Sequence, residues 1–173
     1  MYKTVVFDLD GTLLNTLTDL AEAGNRLCRK NGWPTHERQA YRYFVGNGIP
    51  KLAERLAPAD QRTPAVREAA RADFKRDYGQ HLRDTTAPYP GIPEMLAKLK
   101  ANGVQLAVFS NKADALAKEV VKDYFGTQYF TIVRGQMTGV APKPAAEGTN
   151  ALLQALPADP ASTLYVGDSY VDE

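Results

Sequence analysis

"VVFDLDGTLLNT", residues 5–16, starts as an apolar, β-branched run and then sets two carboxylates, Asp8 and Asp10, one residue apart just before Gly11. A strand that dry belongs inside a sheet covered on both faces, with only its end reaching water. Charge at that end therefore sits on the carboxyl edge, where open parallel sheets bind their ligands. Taken alone, Asp-Gly after an apolar run suits a hairpin turn equally well. The reading depends on what the rest of the chain brings to the same edge.

The same texture returns at VQLAVF (104–109), YFTIV (129–133) and TLYVG (163–167). Between these runs lie helical patterns at 92–103, which ends in Asn102-Gly103, at 113–126 and at 144–156. Strand and helix alternating over short connections predict the α/β class, a doubly wound parallel sheet. Residues 16–84 break the rhythm. Leu17, Leu20, Ala21, Gly24, Leu27 and Cys28 recur at helical spacing behind Thr16, an expected N-cap, and Gly32 closes that helix. Further helical text follows at 36–44, 50–57 and 65–83, with Val66, Ala70, Phe74 and Tyr78 on one stripe. The expectation is a helical domain, 16–84, inserted into an α/β core made of 1–15 and 85–173.

Composition narrows the function classes. The chain has 173 residues, of which 44% are hydrophobic, enough for a real core. Twenty-one basic residues against 20 acidic ones leave a net charge of +1. No global field draws the protein toward nucleic acid or an anionic membrane, and an anionic ligand must be held by a local site. The single cysteine, Cys28, excludes an internal disulfide and fits a reducing cytoplasm. No apolar stretch is long enough to span a bilayer.

Each strand end can then be asked what it delivers. The first delivers Asp8 and Asp10; the second runs into Ser110, Asn111 and Lys112; a loop past the third carries Lys143; the fourth ends in Gly167-Asp168-Ser169, with Asp172 close behind. Carboxylates gathered this closely repel one another unless a cation sits among them. A hard divalent ion that prefers oxygen ligands, Mg²⁺ above all, fits Asp8, Asp168 and a backbone carbonyl. With charge so neutralised, a carboxylate can attack phosphorus and form an aspartyl phosphate. Lys143 and Ser110 are suited to hold the phosphoryl oxygens. Asp10 can protonate a leaving alcohol and later deprotonate water.

"FDLDGT" (7–12), "FSN" (109–111), Lys143 and "VGDSYVD" (166–172), in this order, resemble the four signature motifs of the haloacid dehalogenase superfamily. "VGNG" (45–48), "PYPGIPEML" (88–96) and "LYVGDS" (164–169) are similar to its phosphoglycolate phosphatase-like members, which carry a helical cap after the first motif. The resemblance implies Asp8 as nucleophile, Asp10 as general acid/base that also offers its carbonyl to Mg²⁺, and Asp168 as a metal ligand. It implies phosphate binding by Ser110, with Asn111, and by Lys143, and places Asp172 in the metal's outer shell or on Lys143. The implied activity is Mg²⁺-dependent hydrolysis of a small phosphomonoester such as 2-phosphoglycolate, in the cytoplasm, with no nucleic-acid or membrane partner. A sugar phosphomutase of the same superfamily and a non-catalytic binding module are the alternatives.

Two departures from the pattern stand out. Lys143-Pro144 is followed by AAEGTN, where the family usually has an acidic residue and a second proline. Relatives also continue past the fourth motif through a helix and a further strand, while this sequence stops at Glu173. The C-terminal strand and helix are thus expected to be missing, and self-association is one way of covering the exposed sheet edge.

Overall fold

A computed structural model describes residues 2–172. They form two compact units, one built from the chain up to Asn15 and from Ala87 onward, the other from Thr16–Thr86.

The first unit is a four-stranded parallel sheet with helices between its strands. Its strands are β1 (Thr4–Phe7), β4 (Gln105–Ala113), β5 (Ile132–Gln136) and β6 (Thr163–Val166), in the spatial order β5-β4-β1-β6. β1 runs from Thr4↔Gln105 to Phe7↔Val108 along β4, and from Thr4↔Thr163 to Phe7↔Val166 along β6. Flanked on both sides, all four of its residues are buried. Side chains alternate between the two faces. Val6, Ala107 and Phe109 pack with Leu152 and Leu156, while Ile132, Ala158 and Tyr165 close around them. Phe7, Leu106 and Val108, which point the other way, are as dry. The helices of this unit are α5 (Ile92–Ala101), α6 (Asp114–Phe125) and α7 (Ala146–Ala155). A short antiparallel ribbon, β2 (Leu14–Asn15) against β3 (Ala87–Pro88), joins the two chain segments of the unit.

Two elements differ from expectation. The second strand does not stop at Phe109: pairing with β5 lapses after Phe109↔Arg134 and resumes at Ala113↔Gln136. Ser110, Asn111 and Lys112 occupy that irregular stretch and are all buried. The third strand lies at Ile132–Gln136, not at 129–133. Tyr129 and Phe130 suit a strand by propensity, but Phe130 stacks edge-on against Phe125 at 5.9 Å. The less apolar Arg134-Gly135-Gln136 pairs in their place, with the Gly135 N–H donating to Asp114 Oδ1 at 2.9 Å.

The second unit is helical: α1 (Leu17–Asn31), the single turn α2 (Tyr41–Phe44), α3 (Gly48–Leu56) and α4 (Pro64–Gln80). Cys28 is fully buried and unpaired, and Gly32 closes α1 in the left-handed conformation, φ 68°. Arg26–Asp77 and Lys30–Asp73 ion pairs tie α1 to α4. Thr16 holds the N-cap position of α1, yet its side chain makes no capping hydrogen bond. The polar clasp at this end is Asp19, which is 2% exposed. Its carboxylate accepts from the Thr85 amide (2.9 Å) and hydroxyl (2.5 Å) and from the Thr86 amide (2.9 Å) and hydroxyl (2.7 Å). The start of the unit is thereby bonded to its end. Among the described residues, no helix is long and apolar enough to cross a membrane.

Burial pushes the Asp19 carboxyl up, but the Thr85 and Thr86 donors outweigh it and hold it below its ordinary range. A lowered carboxyl stabilises the folded state above its unfolded pKa of about 3.9, and that contribution fades as pH falls through the folded value. Asp19→Ala should cost about 3 kcal/mol at pH 7, the cost of stranding buried donors. Thermal melts at pH 7 and pH 3 check this: the gap between wild type and variant should narrow in acid.

Candidate active site

At the end of β1 the chain turns tightly while keeping two carboxylates on the rim. The Asp8 amide still donates to Val166 O (2.9 Å), and Leu9 O then accepts from the amides of Thr12 (3.3 Å), Leu13 (3.0 Å) and Leu14 (3.0 Å). Leu9, Leu13 and Leu14 are fully buried and anchor the turn from below. Gly11 sits in it at φ 90°, and a Cβ there would collide with the Asp168 carboxylate. A glycine is needed on both counts. Thr12 Oγ1 donates to Asp168 Oδ1 at 3.4 Å, bringing the ends of β1 and β6 together.

Lys143 arrives from the loop between β5 and α7, ahead of a cis peptide to Pro144. The Asn111 side chain grips its backbone from both sides: the Lys143 amide donates to Asn111 Oδ1 (2.8 Å), and Asn111 Nδ2 donates to Lys143 O (3.2 Å). The buried ammonium donates to Asp8 Oδ1 (2.9 Å), Asp172 Oδ1 (2.6 Å), Tyr165 Oη (2.9 Å) and Phe109 O (3.2 Å). An ammonium has three protons. Four acceptors therefore share them, while the Tyr165 hydroxyl gives its own proton to Phe109 O (2.8 Å). Asp172 Oδ2 accepts from the Ser169 amide and hydroxyl, both at 3.1 Å. Gly167 is required beside it, since a Cβ there would strike the Asp172 side chain.

Asp8, Asp168 and Asp172 each present an oxygen within 4.8 Å of the others. Burial raises the Asp8 carboxyl to about 6; Lys143 opposes the shift, and Asp172 and Asp10 add to it. Asp168 is also pushed up, first by lost hydration and then by Asp172 and Asp10. The Tyr165 hydroxyl is raised far above its range, by burial and then by Asp8 and Asp172, so it stays a neutral donor. Three hard oxygen donors at this spacing, with excess negative charge, fit a divalent cation such as Mg²⁺.

Of the residues singled out in the sequence, Asp8, Lys143, Asp168 and Asp172 thus meet in one cluster. Ser110 is buried, with its Oγ accepting from the Lys112 amide at 3.2 Å, and Asn111 holds the Lys143 backbone. Asp10 carries an ion pair that sequence reading missed, with Lys112 Nζ at 3.0 Å. Tyr165 was missed as well. It reads as one more aromatic of a buried strand, and nothing local in "TLYVG" reports that its hydroxyl reaches Lys143.

The family described as haloacid dehalogenase-like hydrolase matches residues 5–173. The chain belongs to that family. It is 31% identical to a phosphoglycolate phosphatase of Thiobacillus denitrificans over 98% of its own length and 76% of that protein's. It is 33% identical to one of Neisseria meningitidis, over 98% and 74%. A crystal structure from Lactobacillus delbrueckii subsp. bulgaricus, provisionally named a phosphoglycolate phosphatase, superposes with a TM-score of 0.91 at 27% identity, covering 99% of this chain and 80% of that one. The chain is thus similar to proteins named phosphoglycolate phosphatase and shares the fold of that crystal structure.

Two outcomes follow from the geometry. A carboxyl raised on folding binds protons more tightly in the folded state, so ionised Asp8 costs stability as pH rises from about 4 through about 6. In chelator-containing buffer at pH 7.5, Asp8→Asn should therefore melt higher than wild type, and the difference should shrink at pH 4. Gly11→Ala, which forces Asp168 aside, should cut phosphatase kcat/KM by about 100-fold, as an ångström-scale misplacement does; steady-state assays on a refolded, circular-dichroism-matched variant measure it.

Proposed function

We propose that this chain hydrolyses a small phosphomonoester with Mg²⁺, through a phosphate ester on Asp8. The observation that carries the reading is the Lys143 ammonium, 2.9 Å from Asp8 Oδ1 and buried beneath a three-carboxylate cluster. A carboxylate whose one close cation also suits a phosphate is placed for nucleophilic attack on phosphorus.

In the first step an Asp8 oxygen bonds to phosphorus as the bond from phosphorus to the substrate's alkoxy oxygen breaks, and Asp10 gives its proton to that oxygen. In the second, water attacks the same phosphorus, its proton passes to Asp10, and the Asp8–phosphorus bond breaks to release inorganic phosphate. Lys143 and the Ser110 hydroxyl bind the phosphoryl oxygens, and Asn111 keeps Lys143 in place. Mg²⁺, held by Asp8, Asp168 and the Asp10 carbonyl with Asp172 outside them, would supply charge neutralisation between carboxylate and phosphate. The names of the relatives favour 2-phosphoglycolate as substrate, and the buried, unpaired Cys28 suits a cytoplasmic protein.

The test is inorganic phosphate release from 2-phosphoglycolate. Wild type should be active with Mg²⁺, silent in excess chelator and restored by added Mg²⁺. Asp8→Asn should lose about 10⁴-fold or more in kcat while remaining folded, in line with removal of a nucleophile. Full turnover by Asp8→Asn would defeat the reading, and an isomerised phosphate ester as product would point to the phosphomutase chemistry instead.

A further inference from the structure

Lys112 is a buried cation that the steps above leave without a task. Its side chain is 3% exposed, and its ammonium lies across the Asp10 carboxylate, 3.0 Å from Oδ1 and 3.3 Å from Oδ2. It comes from the irregular stretch of β4, where the ladder to β5 lapses, and its amide is bonded to Ser110 Oγ. Burying an ion pair gains little net stability, because lost hydration cancels most of the attraction. What such a pair does supply is a fixed geometry. Asp10 needs one. It sits in the turn just before Gly11, and its side chain is 14% exposed, more open than that of Asp8 at 9%. Its carboxyl must face a leaving oxygen in one step and a water in the next. Lys143 is committed to Asp8 and Asp172, so the two lysines divide the rim, one to each aspartate of the first motif.

We propose that Lys112 is a positioning residue that holds the Asp10 carboxyl in the orientation needed for proton transfer. The inference rests on the assignment of Asp8 and Asp10 made above. The ammonium holds Oδ1 more closely than Oδ2, so Oδ2, the more weakly held oxygen, carries the proton to the leaving alkoxide and receives one from the attacking water. Lys112 itself neither gains nor loses a proton in either step.

The expected signature is a dependence on the leaving group. An alkoxide needs a proton as it departs, whereas p-nitrophenolate leaves without one, so a misplaced Asp10 penalises alkyl esters selectively. The value of kcat/KM, which reports formation of the Asp8 ester, is to be measured with Mg²⁺ for 2-phosphoglycolate, ethyl phosphate and p-nitrophenyl phosphate. Lys112→Met should lose about 100-fold on both alkyl esters but less than about 5-fold on the aryl ester, and Lys112→Arg should recover most of the loss. Equal losses on all three would mean a merely structural role and would overturn the proposal. A loss confined to 2-phosphoglycolate would also overturn it, making Lys112 a contact for the substrate carboxylate. Melting curves verify folding; if Lys112→Met does not fold, Lys112→Gln carries the same comparison. Absence of wild-type turnover on every ester would defeat the phosphatase reading itself, and this inference with it.

Discussion

The Lys143 ammonium is what lets this rim exist. Asp8 and Asp172 both lie on it, at 2.9 and 2.6 Å, in a pocket where the lysine is 3% exposed. Without that charge, two carboxylates with Asp168 nearby would face each other in a poorly hydrated place, and like charges there are costly. Even with it, Asp8 is held near 6, well above an ordinary aspartate. The fold therefore carries a residual excess of negative charge at the spot where a divalent cation would relieve it. Carboxyls perturbed in this way cluster at functional sites.

Much of the surrounding architecture keeps that lysine in register. Asn111 grips its backbone, Tyr165 and Phe109 O receive its ammonium from the sheet side, and Ser169 fixes the far oxygen of Asp172. Glycines do the complementary work. Gly11 and Gly167 remove the methyl groups that would hold Asp168 and Asp172 off the cluster. The irregularity in β4 serves the same end, since an uninterrupted ladder past Phe109 would bind Ser110–Lys112 into regular pairing with β5. The helical unit has its own organising charge in Asp19, which stitches its start to its end through the amides and hydroxyls of Thr85 and Thr86.

Family membership and geometry bear on different questions. The match over residues 5–173 and the 31–33% identities to named phosphatases speak to the class of reaction. The distances speak to the division of labour among residues, and there they add two groups, Lys112 and Tyr165, that motif matching passes over.

The α/β class, the helical stretch after Thr16, and the gathering of Asp8, Lys143, Asp168 and Asp172 at one place in the fold were legible in the amino-acid order. Each depends on local pattern: apolar runs that stop at charge, 3.6-residue periodicity between Thr16 and Gln80, and motifs whose spacing survives the insertion. The third strand lies three residues beyond its expected place at each end, and Phe130, a strand former by propensity, stacks edge-on against Phe125 outside the ladder. Thr16 was read as a cap, yet the bonds at that end come from Asp19, 66 positions from Thr85. The Lys112–Asp10 pair spans 102 positions, and the Tyr165 bond to Lys143 depends on how β6 sits relative to a distant loop. Which polar groups touch across such separations is set by strand order and register. Those are properties of the packed sheet, and no window of sequence contains them.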